Sequence, residues 1–160
     1  DFVNYQQYKL SRRTHLINSF IVFCMEFILQ AQLNDAEDLY KSLNRLIMNF
    51  IDPINIINSN SNQDSLKSNV LAYKQELRKY IYPIMLKYIN TLCINYSGSR
   101  ISIKMVNEFR NGLKLSMYAI FDLLIKENIN LMYNLLDYNG KLYFKKLYKD
   151  YENEGKWGED

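Results

Sequence analysis

Glycine, proline, cysteine and histidine are all scarce in this chain of 160 residues, which has 5 Gly, 2 Pro, 2 Cys and a single His. Gly and Pro punctuate chains, so their scarcity argues against a turn-rich sandwich or barrel and for long helices with short connections. Cys24, Cys93 and His15 cannot supply the four ligands of a structural zinc site, and two Cys make no disulfide framework. Both Cys read as buried thiols in a reducing compartment. Glycine-rich phosphate loops, a nucleophile elbow and HExxH are also missing, and Ser97-Gly98-Ser99 is the nearest thing to a glycine motif. Catalysis needs a nucleophile or an acid–base pair held in reach. The lone imidazole, His15, follows Arg12 and Arg13 and reads as a polar-face residue at the start of the first helix. The residues therefore describe a domain that is not an enzyme and takes no cofactor.

Apolar and aromatic side chains are abundant: 48% of the chain is hydrophobic, with 14 Tyr and 8 Phe. The length suits one domain, 1–160, with a core of its own. The start at Asp1, without an initiator Met, reads as the fragment or processed product of a longer protein, and no signal-peptide pattern is visible in the sequence. Leu16–Leu33 (LINSFIVFCMEFILQAQL) approaches the length of a membrane span, but Glu26 sits near its centre. A charge there costs at least ~2.5 kcal/mol. A central helix buried nearly all round is the better account, with no membrane contact.

Further along, Asn34 or Asp35 can cap a second helix, with Asp35, Glu37 and Asp38 at the favourable end of its dipole. Leu39, Leu43, Leu46, Ile47 and Phe50 predict its buried stripe, and Pro53 ends it. The Asn- and Ser-rich stretch at 54–64 reads as an exposed loop. An apolar pattern from Leu66 to Leu92 is interrupted by Pro83, which predicts a kink or break near Tyr82. Further helices are expected over about Ile101–Leu124 and Ile129–Leu136. A last one is expected beyond Asp137, stopped by Gly155. The fold class is all-α, a bundle of about six to seven helices or the end of a short α-solenoid. Glu26 and Asp122 should lie near core positions in structural roles, capping or pairing across helices, with Lys126 one turn beyond Asp122.

Net charge is +3, unevenly spread. Residues 67–114 hold nine basic side chains against Glu76 and Glu108, a local +7 that leaves −4 for the rest. Lys74, Arg78, Lys79, Lys87, Arg100 and Lys104 are the candidate RNA contacts, with Tyr73, Tyr80 and Tyr82 interleaved as stacking surfaces. The final helix brings Tyr143, Phe144, Tyr148 and Tyr151, with Trp157 beyond, among Lys141, Lys145, Lys146 and Lys149. Aromatics within a charged rim are candidate partner-binding anchors. The competing account is that Phe144, Leu147, Tyr148 and Tyr151 close the domain's own core.

Several stretches, in order along the chain, resemble one family. Leu10–Leu16 (LSRRTHL) is similar to an L-x-x-R-x-H-L opening, and Ala36–Pro53, Leu77–Ile89 and Met117–Leu124 resemble successive helices of the same domain. Gly140–Trp157 (GKLYFKKLYKDYENEGKW) carries the most specific likeness, to G-R-x-x-F-K-x-L-Y-x-D-Y-x-x-x-G-K-W. The resemblance is to the C-terminal domain of the unhealthy ribosome biogenesis protein two family, also called nucleolar pre-ribosomal-associated protein two. The chain departs from it at Leu115-Ser116-Met117, where relatives often have Pro-Gly, and in the 55–63 loop, which looks locally expanded. The resemblance implies the carboxyl end of a much longer scaffold in the nucleolus of the nucleus. That scaffold would act in early large-subunit (60S) assembly and precursor-rRNA processing. Implied partners are the sister scaffold nucleolar pre-ribosomal-associated protein one, early assembly factors including a DEAD-box RNA helicase, and precursor rRNA. The alternative is a helical adaptor unrelated to ribosomes.

Overall fold

The computed structural model describes residues 2–52 and 63–155, with side chains described for Lys9, for 11–52 and for 67–155. Within them the chain forms seven helices: α1 Phe2–Gln30, α2 Glu37–Ile51, α3 Gln63–Tyr80, α4 Tyr82–Cys93, α5 Ile103–Leu123, α6 Lys126–Asn134 and α7 Tyr138–Glu154. They pack as an all-α bundle. Pro53, Trp157 and most of the Asn- and Ser-rich stretch lie outside the described residues, and helix resumes at Gln63.

The core is built around the α2–α5 pairing, the most extensive in the fold, with α1, α4 and α7 packed about it. Tyr40, Tyr88 and Phe109 are the largest fully buried side chains. Phe109 stands edge-on to Tyr40, with ring centroids 6.0 Å apart, and is stacked on Tyr88 at 5.7 Å. Aromatic pairs favour these two arrangements because the ring edge is positive and the face negative. The buried face of α2 is Tyr40, Leu43, Ile47, Phe50 and Ile51, whereas Leu39 and Leu46, expected inward, are exposed. Gly112 of α5 explains the shift: a Cβ there would lie 2.6 Å from the Tyr40 Cβ, so the missing side chain leaves the room the tyrosine occupies. Next to this contact the Asn44 amide donates to the Gly112 carbonyl, and the Ser116 hydroxyl donates to the Asn44 side-chain oxygen.

Pro83 divides α3 from α4 at Ile81, close to the expected break. The Ile84 amide donates to Ile81 at 3.3 Å instead of reaching back to Tyr80. The Tyr80 carbonyl is taken up by α1, where the buried Asn18 amide donates to it at 2.6 Å. Replacing Asn18 with Ala leaves that carbonyl without its donor, and we expect a loss of about 1–2 kcal/mol in urea unfolding. An unchanged midpoint would show that water reaches the joint.

Several boundaries follow local chemistry. Asp137 caps α7, its carboxylate accepting from the Gly140 amide at 2.8 Å, and Ser102 caps α5 through the Met105 amide at 3.2 Å. Gly98, at φ +81°, allows the turn in which the Ser99 amide donates to Tyr96. The cap of α2 differs from expectation: Ala36 occupies the position with no side-chain bond, and Asp35 only accepts from the Glu37 amide at 3.3 Å.

Three further expectations are corrected. The apolar run from Leu16 is not buried all round: Ile21, Met25, Ile28 and Leu29 face the core, while Leu16, Phe20, Phe23 and Phe27 face outward. His15 lies in the middle of α1 rather than at its start, exposed, with its ring 4.4 Å from that of Tyr80. Neither Glu26 nor Asp122 is a core group. Glu26 is partly exposed and bridges to Lys87 of α4, and Asp122 is exposed and accepts from the Tyr151 hydroxyl. Both do pair across helices, but Lys126 begins the next helix and α5 has ended by then.

The Lys87 ammonium holds the Glu26 carboxyl below its ordinary value of 4.5, chiefly through their hydrogen bond. A carboxyl depressed on folding stabilises the fold above its unfolded pKa and loses that contribution as pH falls through the folded one. The stability difference between wild type and Lys87→Met is therefore expected to be present at neutral pH. It should shrink between about pH 5 and pH 3. Urea midpoints across that window check this, and a constant difference would contradict it.

Candidate functional site

Burial raises the thiols of Cys24 and Cys93, which disfavours the reactive thiolate. Among the described residues no three His, Cys, Asp or Glu side chains gather where they could hold a metal ion, and no helix is long and apolar enough to cross a membrane.

The basic side chains singled out from the sequence are mostly engaged within the fold. Arg78 donates through Nε to the carbonyl of Leu123 at 2.6 Å, closing the C-terminus of α5, where a cation also suits the helix dipole. Lys79 pairs with Glu76 at 3.2 Å, Lys87 with Glu26, and Lys104 with Glu108 at 4.0 Å. Lys74 is half-buried beside a small pocket that also takes in Asp52 and Asp122, and Arg100 is exposed in the connection before α5. The interleaved tyrosines are likewise committed to packing. The Tyr73 hydroxyl donates to the Phe50 carbonyl and burial pushes its pKa up to about 12, Tyr80 meets His15, and the Tyr82 hydroxyl accepts from Asn128 at 2.9 Å.

On α7 the aromatics gather around Phe121 of α5. Phe144 is buried and edge-on to it at 5.5 Å, while Tyr148 and Tyr151 each come within 5.2 Å. Tyr143, Tyr148 and Tyr151 are half-buried, each with part of its surface open. A clamp fixes the end of α7 to α5: Glu154 bridges to Lys114 at 3.0 Å and accepts from the Tyr118 hydroxyl at 3.0 Å. The Lys114 bond holds the Glu154 carboxyl below its ordinary range, and the same bond raises the Lys114 ammonium.

Beside this clamp lies a cleft of about 230 Å³ between α4, α5 and α7. Arg110, Lys114 and Lys146 line it with Tyr88 and Tyr143, and Asp150 is its one acid. Its shape is fixed by hydrogen bonds: the Tyr88 hydroxyl donates to the Arg110 carbonyl at 2.9 Å, and Arg110 Nε donates to the Tyr143 hydroxyl at 2.9 Å. Arg110 also reaches Asn107 at 2.6 Å. With Lys114 paired to Glu154, Arg110 and Lys146 against Asp150 leave the cleft a net positive charge that suits an anion, with tyrosine at its wall. The sequence counted Arg110 and Lys114 within the basic middle but did not connect them to Lys146, which α7 brings in.

Fold and surface together define the chain first as an all-α helical-bundle domain, with a basic cleft on one side and a row of open aromatics on α1. A model of the Urb2/Npa2 family matches residues 2–160, and the chain belongs to that family. The family is one of ribosome-biogenesis factors, and the chain's role is accordingly in ribosome biogenesis. It is the family that the closing motif on α7 resembles. No curated protein and no solved structure matches the chain.

Proposed function

We propose that this domain is a non-enzymatic scaffold of early large-subunit assembly in the nucleolus, holding protein partners and precursor rRNA together. The observation that carries the reading is the family match over residues 2–160, which spans every described helix. Geometry adds the cleft of Arg110 and Lys146, and the exposed Arg100 and half-buried Lys74 remain candidate RNA contacts. Cations beside aromatic walls suit single-stranded RNA, whose phosphates and bases they meet together. The open faces of Tyr143, Tyr148 and Tyr151 are the candidate protein contacts, and Trp157 follows them in sequence. The proposed protein partners are the sister scaffold nucleolar pre-ribosomal-associated protein one and a module with a DEAD-box RNA helicase.

Purification of the tagged full-length protein, with the associated RNA and proteins identified, tests the scaffold. Precursors of the large-subunit rRNA and early assembly factors are the expected companions, and their absence would sink the reading. The RNA surface has its own test in Arg110→Gln plus Lys146→Glu. Losing two phosphate contacts should lower the slope of log affinity against log salt by about 1.5. An unchanged slope would move the RNA contact elsewhere or remove it.

A further inference from the structure

The outward face of α1 carries Leu16, Phe20, Phe23 and Phe27, which are 63, 56, 64 and 58% exposed. Three open phenylalanines at about 150–250 Å² each leave on the order of 300 Å² of aromatic surface in one row. A whole monomer's largest apolar patch is typically about that size. Among the described residues α1 meets the core through Ile21, Met25, Ile28 and Leu29, not through this face, and the Phe23 and Phe27 rings stack on each other at 6.1 Å. The steps of four, three and four residues form a single file, the seam into which the ridge of another helix packs. A helix lying on a lipid surface needs a broader apolar face.

Charge selects the occupant. Arg12 and Arg13 are exposed one turn before Leu16, and neither has a carboxylate partner among the described residues. A shallow pocket of about 370 Å³, lined by Ser11, Arg12, His15, Leu16 and Ser19, sits at this end of the seam. The one carboxylate of the run, Glu26, is committed to Lys87. A second copy fits poorly. In parallel it would set arginines against arginines, and in the antiparallel register that matches Leu16 with Phe27 they would meet Gln30 and Ala31, which carry no charge. From Leu16 to Gln30 the run has no Lys or Arg of its own, and Lys87, which reaches it from α4, is paired with Glu26. A nucleic-acid strand stacked on the phenylalanines would therefore find no uncommitted cation along roughly 20 Å of α1.

We infer that this face of α1 docks an amphipathic helix of a partner protein, with apolar residues in its seam and Asp or Glu at the end that lies against Arg12 and Arg13. The site goes beyond the ribosomal role and does not rest on it. Photo-crosslinking in cells tests it, with p-benzoylphenylalanine placed at position 23, or at position 13, of the full-length protein and the adducts sequenced. Both adducts are expected in one segment of another protein, with apolar residues at three- and four-residue spacing and acidic residues nearer the site-13 adduct. Arg12→Glu plus Arg13→Glu should cut the site-23 yield about tenfold. Phe23→Ser should weaken co-purification of that partner to a similar degree while leaving helical circular dichroism unchanged, because the ring is open. Adducts with a second copy of the chain, with RNA or with lipid would overturn the inference. So would a segment lacking this pattern, a yield indifferent to charge reversal, or no adduct at all.

Discussion

Replacing Phe109 with Ala is expected to lower unfolding free energy by about 3–5 kcal/mol, the usual range when a buried aromatic leaves a cavity behind. The ring is fully buried and contacts two other large buried aromatics, Tyr40 of α2 and Tyr88 of α4. Its removal takes a shared contact from three helices at once, so little of the space can be refilled by one side chain turning over. For a domain of this size each kcal/mol moves Tm by about 2–4 °C, so the drop should be on the order of 10 °C or more. Thermal denaturation followed by circular dichroism measures it. A shift of only a few degrees would mean that Tyr88 and Tyr40 collapse into the gap.

Gly112→Ala gives the second large effect, with the opposite geometry. In an ordinary helix interior this change gains up to about 1 kcal/mol. Here the new methyl would meet Tyr40 Cβ at 2.6 Å and Cγ at 2.7 Å, distances that cannot stand. Cβ is fixed to the backbone and cannot swing aside, so α2 has to retreat from α5 across the fold's most extensive interface. Overpacking costs about 1–3 kcal/mol, and we expect a net loss of about 2 kcal/mol. The double variant Gly112→Ala, Tyr40→Gly should lose less than the two single changes added together, because it removes the Cβ and Cγ that the new methyl would meet. Additive losses would remove the close approach as the cause.

The same contact explains where reading the sequence stopped. Two helix boundaries were legible because their signals are local: Asp137 before α7 and the Pro83 break. The buried face of α2 was not. Leu39 and Tyr40 are neighbours, and leucine is the more obvious core residue, but the hollow that admits the tyrosine is made by Gly112, far along the chain. Arg78 misled for a similar reason, since the carbonyl it closes belongs to Leu123, 45 residues away. Counting charges in a segment cannot tell a cation spent on the fold from one left for a ligand. The candidate cleft was half legible, with Arg110 and Lys114 in the basic middle and Lys146 supplied only by the packing of α7. The open row on α1 left no local sign, because phenylalanine has the same hydropathy inside and out.

The bond between Asn18 and the Tyr80 carbonyl also bears on how the molecule opens. The break at Pro83 frees a carbonyl that the α3–α4 joint cannot satisfy from its own backbone, and its donor comes from a helix more than sixty residues earlier. Peeling α1 away therefore exposes this joint, as well as the Met25 face, to water. The second half of α1 and the amides around Ile81 should exchange their hydrogens as one cooperative unit, distinct from the α2–α5 pair.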